Sequence, residues 1–195
     1  MNGPLDRAGR LLRWFGCFLK NAGCGVSSVV AIASEKIGGQ VLAAPSLPKT
    51  TTSTFALPGV TTFARSGKAV RTTAPLRKAI EVFGSPTVQV SIAASGGWSR
   101  LVAVLTARTP KGQEIVVSAG GVPTKNGARR VTIRLIDQAT YIPKGSRLTL
   151  TLASASTAQS TSNLLYLDLP MAASARVRVG TAVLKLPGLR TPVTT

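Results

Sequence analysis

Three stretches of the chain alternate apolar and polar residues with a period of two. Val88, Val90 and Ile92 share one side of the first, Val131, Ile133 and Leu135 one side of the second, and Leu148, Leu150 and Leu152 one side of the third. The residues between them are Thr, Gln, Ser and Arg. A period of two over several residues marks a strand with one buried face. Turn formers separate these runs: Ser95-Gly96-Gly97, Pro110-Lys111-Gly112, Gly120-Gly121, Lys125-Asn126-Gly127 and Pro143-Lys144-Gly145. Short strands spaced by Gly/Pro turns predict an antiparallel sandwich or barrel.

The pattern predicts strands over residues 70–73, 79–83, 87–94, 100–108, 114–118, 129–136, 147–154, 164–169 and 175–185. Leu101 to Leu105 is almost continuously apolar, which places that strand centrally with both faces covered. Residues 45–69 have the composition of a linker. Pro45, Pro48, Pro58 and a tract of four Thr and one Ser over 50–54 favour extended chain. Phe55, Leu57 and Phe63 are the residues there able to dock as an edge segment. Residues 1–44 differ again. Leu5, Leu12, Phe15 and Leu19 alternate with Arg7, Arg10, Arg13 and Lys20, as in a short basic amphipathic helix. The same segment has the parts of an export signal, with Val26 to Ala33 as the apolar run and Val41-Leu42-Ala43 as the cleavage site. A third reading is junction sequence in front of a domain. The expected organisation is an N-terminal extension over 1–44, the linker over 45–69, a sandwich over 70–186 and a tail over 187–195.

Several motifs stand in one order. Gly84-Ser85-Pro86 leads into a strand, LVAVLTAR follows at 101–108, and a Pro-Lys-Gly turn precedes EIVVSAGG at 114–121. A strand ending at Leu135 then leads to ATYIPKGSRL at 139–148. This order resembles the C-terminal jelly-roll domain of the X-Pro dipeptidyl-peptidase and cocaine esterase (CocE/NonD) hydrolases. VRTTAPLRKAIEVFGSPTV, 70–88, is similar to that family's approach to the domain. The resemblance covers about residues 70–186 and implies an all-β, antiparallel jelly-roll sandwich, galactose-binding-like, behind an irregular or partly helical N-terminal extension. In that family an α/β-hydrolase domain carries a Ser-Asp-His triad and the sandwich packs beside it. The resemblance therefore implies a partner, a catalytic domain in cis or in trans, and a family activity of dipeptidyl-peptidase or ester hydrolysis.

Composition narrows the chemistry. The chain has no histidine, which removes Ser-His-Asp and Cys-His catalysis and His-ligated zinc. Its two cysteines, Cys17 and Cys24, are too few for a metal site and read as free thiols. No serine sits in a G-x-S-x-G elbow. Lys144 and Ser146 flank Gly145 in a turn and read as solvated rather than as a dyad. Asp137 and Asp168 stand at strand ends and read as local hydrogen-bonding groups. Neither Gly96-Gly97 nor Gly120-Gly121 leads into a helix signal, so neither is a phosphate loop. No catalytic, cofactor or metal residue is assigned, and the chain is expected to be inactive alone.

Charge adds one further consideration. With 24 Lys and Arg against 6 acids the net charge is +18. The basic residues are spread from Arg7 to Arg190 without a long block, and no zinc-finger, RNP or helix-turn-helix pattern accompanies them. Weak, non-specific polyanion binding is expected, without specific nucleic-acid recognition. No apolar run is long enough for a membrane-spanning helix. The Thr/Ser/Pro-rich stretch and scarce acids lean toward an exported or envelope protein. The competing function is a free-standing carbohydrate-binding sandwich. Trp98 beside Arg100, together with Tyr141 and Tyr166, supplies the candidate contacts, although Trp98 reads rather as covering an end of the core or packing on a partner domain.

Overall fold

The computed structural model describes residues 30–33, 41–44, 49–124, 127, 129–154 and 171–190. Every regular element in them is a strand. β1 (Val30–Ala33) and β2 (Val41–Ala44) pair antiparallel as a separate two-stranded sheet. Within the N-terminal extension these eight residues are strand. The amphipathic-helix reading of residues 5–20 lies outside the described residues, as do Cys17 and Cys24.

The remaining strands are β3 (Thr50–Leu57), β4 (Thr61–Ala64), β5 (Lys68–Thr72), β6 (Ile80–Gly84), β7 (Thr87–Ser95), β8 (Arg100–Arg108), β9 (Glu114–Pro123), β10 (Arg130–Arg134), β11 (Gln138–Ile142), β12 (Arg147–Ala153) and β13 (Arg176–Leu189). Pairing registers join several of them end to end. β3 and β4 run in line along one side of β13, with Leu57 opposite Ala182 and Thr61 opposite Val179. β6 and β7 run in line along its other side, interrupted at Ser85-Pro86. β11 and β10 pair with β6 and β7 in turn, interrupted at 135–137. The larger sheet therefore has four rows, in the order β3/β4, β13, β6/β7, β11/β10. The smaller sheet has the order β5, β12, β8, β9.

The chain crosses from one sheet to the other at nearly every connection. Between rows of the two larger sheets, among the described residues, the β8–β9 hairpin is the connection that stays within its sheet, closed by Gly112 N donating to Thr109 O at 2.9 Å. The last row, β13, lies against the first, β3/β4. Eight rows, two four-row sheets and this order make a jelly roll.

The core lies between the sheets. Val88, Val90 and Ile92 of β7, Ile133 of β10 and Leu148, Leu150 and Leu152 of β12 are buried in one cluster. β13 keeps its inward face through a register shift between Val179 and Ala182. Val177 and Val179 point in before it, Ala182, Leu184 and Leu186 after it. A bulge of this kind restores the alternation that an extra residue would invert. β8 is an inner strand of its sheet, and both of its faces are buried over Leu101–Leu105.

The structure departs from the sequence reading in three places. Residues 45–69 include two strands of the larger sheet and the start of β5, not a linker. Thr is β-branched and fits a half-buried strand, and Leu57 and Phe63 are buried in the main core. Gly120-Gly121 lies inside β9, not in a turn. A Cβ at Gly120 would collide with the Arg134 carbonyl, because Ile136 N donates to Ala119 O there at 2.9 Å. Residues 187–189, read as tail, complete β13 opposite Thr50–Thr52. The strand expected over 164–169 lies outside the described residues.

Candidate docking surfaces

Among the described residues, Trp98 and Tyr141 lie on different parts of the fold. Trp98 follows the Gly96-Gly97 tip between β7 and β8. It is 1% exposed. Its ring stands edge-on to Phe63, with centroids 5.4 Å apart and an interplanar angle of 84°. Trp98 N donates to Ser95 O at 3.2 Å, which turns the side chain inward over the end of the core. Gly96 makes this turn possible. Its φ is +61° and a Cβ there would strike the Ser174 carbonyl. A buried indole offers no stacking face to a sugar, and its Nε1 has no hydrogen-bond partner among the described residues.

Arg100 is half-buried and its Nε donates to Ser154 O at 2.7 Å. Ser154 Oγ in turn donates to Arg65 O, and Arg65 Nη1 donates to Met171 O at 3.2 Å. These bonds tie strand ends together beneath Trp98. Tyr141 lies on β11 opposite Glu81, near the start of the β6/β7 row. Trp98 lies just past the end of that row. At roughly 3.3 Å per residue the two are on the order of 40 Å apart. Tyr166 and Asp168 lie outside the described residues.

The remaining candidate groups are structural. Ser146, expected in solvent, is fully buried. Its N donates to Pro143 O at 3.2 Å and its carbonyl accepts from Leu76 N at 2.8 Å, so the turn is pinned inward. Lys144 is exposed. Asp137 meets Arg134 at 3.6 Å as an exposed pair, an arrangement that contributes roughly 0–1 kcal/mol. Among the described residues no group of His, Cys, Asp and Glu is placed to hold a metal. No helix among them is long and apolar enough to cross a membrane.

Three surfaces stand out instead. The first is the outer face of the smaller sheet. Val102, Val104 and Ala119 form a buried cluster separate from the main core, on the side of the sheet opposite Leu101, Ala103 and Leu105. The register sets Val70, Thr151, Val104 and Ala119 in one line across the sheet. Thr72, Thr149, Thr106 and Val116 form the next line. Val70 and Val116 flank the cluster at 46% and 41% exposure. The second surface is the outer face of the larger sheet. Arg130, Arg134, Arg176, Arg178 and Lys185 are exposed there among Ser91, Ala93 and Ser95. The third is an open cleft of about 1200 Å³ between β3 and the β5–β6 connection.

The family model described as the X-Pro dipeptidyl-peptidase C-terminal non-catalytic domain matches residues 34–171. The chain belongs to this family. A CocE/NonD family hydrolase from Staphylococcus aureus superposes with a TM-score of 0.70 at 12% identity, over 95% of this chain and 46% of that one. An aminopeptidase from the marine sediment archaeon Thaumarchaeota archaeon superposes with a TM-score of 0.52 at 12% identity, over 92% of this chain and 43% of that one. At these identities the likeness is one of fold. The chain spans less than half the length of either structure. No curated protein sequence matches it at a significant level. The module is a non-catalytic C-terminal β-sandwich of the X-Pro dipeptidyl-peptidase kind.

Proposed function

We propose that this module packs on an α/β-hydrolase catalytic domain, in the same chain or another, and completes it. Dipeptidyl-peptidase or ester hydrolysis would be that domain's activity. The observation that carries the reading is the match to the non-catalytic domain family over residues 34–171. We assign the contact to the outer face of the smaller sheet. An antiparallel sheet ordinarily leaves one face wet and polar. Here both faces of β8 are apolar, and Val70 and Val116 extend that surface into solvent. The net charge adds only weak polyanion binding that ignores sequence and fades with salt.

The partner is sought in the DNA upstream of the Met1 codon, read in three frames for a G-x-S-x-G elbow followed by Asp and His. Co-purified with that domain, the chain is expected to form a complex. The double variant Val70→Asp/Val116→Asp should weaken it by at least about tenfold, a cost of about 1.4 kcal/mol, while keeping its own fold. Purified alone, the chain should release nothing from an Ala-Pro-anilide or an aryl ester. Turnover by the chain alone, or a complex indifferent to both aspartates, would overturn the respective part of the reading.

A further inference from the structure

The free edge of the larger sheet lies along the cleft. β3 pairs with β13 over Thr50–Leu57, and its other edge has no partner strand among the described residues. Its sequence, TTTSTFAL, holds no charge, no proline and no glycine. Natural edge strands are usually guarded by such residues, because an open row of N–H and C=O groups invites another strand. Ser53, Thr54, Phe55 and Ala56 all line the cleft. Successive residues of a strand point to opposite faces. Four in a row in one lining place the cleft along the backbone of β3, and Gly188 and Leu189 of β13 and Ile80 of β6 extend it across the end of the sheet.

The rest of the lining decides what fits. Arg77 and Lys78 of the β5–β6 connection form part of the opposite wall, and Arg190 stands at one end. All three are exposed, and no acidic residue lines the cleft. Its volume of about 1200 Å³ exceeds the roughly 300–1,000 Å³ usual for small-molecule pockets. β3 offers an edge of about 26 Å at roughly 3.3 Å per residue.

We propose that the cleft takes an extended, acidic peptide segment, added to β3 as a further strand. Backbone hydrogen bonds along β3 would supply affinity, as in other strand additions. Arg77, Lys78 and Arg190 would select acidic side chains. A second copy of this chain is disfavoured, because its own β3 is flanked by the same cations and like charges brought together repel. An anionic polymer without peptide amides would meet the cations but leave the edge of β3 unpaired. The inference stands apart from the hydrolase-docking proposal, and its test uses this chain alone.

The probe is a capped peptide of about eight alternating Thr and Glu residues, matched in length to β3. Binding is followed by calorimetry and by backbone NMR shifts at about 50 mM salt, where screening is modest. The Glu peptide is expected to bind and to shift the β3 amides. Its Lys counterpart should bind at least about tenfold more weakly. So should the Glu peptide N-methylated at every second residue, since this blocks one edge of its backbone. The variant Arg77→Glu/Lys78→Glu/Arg190→Glu should reverse the preference and take the Lys peptide, an inversion that a misfolded chain would not produce. Equal binding of the N-methylated peptide would show attraction by charge alone and would overturn the proposal. So would failure of the Glu peptide to bind, or β3 shifts that track chain concentration with no peptide present.

Discussion

Trp98 shows how little a residue's neighbours in sequence say about its surroundings. The Gly96-Gly97 tip is compatible with an exposed indole and with one that covers the core, and the positive φ at Gly96 folds the chain back and lays the ring against Phe63. Phe63 lies in a stretch with the composition of a linker, where it was one of three residues able to dock as an edge segment. The prediction at this scale is energetic. Trp98→Ala should lower unfolding free energy by about 3–5 kcal/mol, as for other large buried aromatics, measured by urea denaturation. Migration on polysaccharide gels should be the same for both proteins when folded. Selective loss of retardation in the variant would restore the sugar-contact reading. Ser146 makes the same point for polar residues. A Pro-Lys-Gly turn marks its location, but the backbone bonds to Leu76 and Pro143 decide that its side chain faces inward.

At the scale of elements, strands that alternate strictly were legible and strands that do not were missed. β7, β10 and β12 carry Val, Ile and Leu at alternate positions, so burial on one face was written in the sequence, and the nearly continuous apolar run of β8 marked a strand covered on both faces. β3 is mostly threonine, and its pattern resembles that of a solvated linker. Its position is set by β13, whose length of 14 residues leaves an edge for β3 and β4 to cover. A chain cut to residues 70–186 should therefore fail as an independent unit. It would lose Leu57 and Phe63 from the core and expose one side of β13. A chain of residues 49–190 is expected to unfold cooperatively with sharp near-UV ellipticity, whereas 70–186 is expected to show a broad transition and bind ANS. A cooperative transition in the shorter chain would mean that β3 and β4 are ornaments on a self-sufficient sandwich.

For the whole molecule, charge and topology pull in different directions. A net charge of +18 on 195 residues makes the compact state repel itself. The melting temperature should rise between about 10 mM and 500 mM sodium chloride as the Debye length shrinks from roughly 30 Å to a few ångströms. A gain of about 1 kcal/mol corresponds to about 2–4 °C for a domain of this size. Differential scanning calorimetry reads it directly, and a flat response would locate the cations too far apart to matter. The all-β class, the central place of β8 and the resemblance to a hydrolase's C-terminal module were legible in the residue order alone. Each of these rests on local periodicity, composition or motif order. The strand pairings were needed to show that the Thr-rich segment lies along β13, that the Trp98 ring meets Phe63, and that the outer edge of β3, beside three cations, has no partner strand among the described residues. Those depend on which strands meet across the sandwich. Such pairings join residues more than a hundred positions apart, as Thr50 meets Leu189, and no local pattern encodes them.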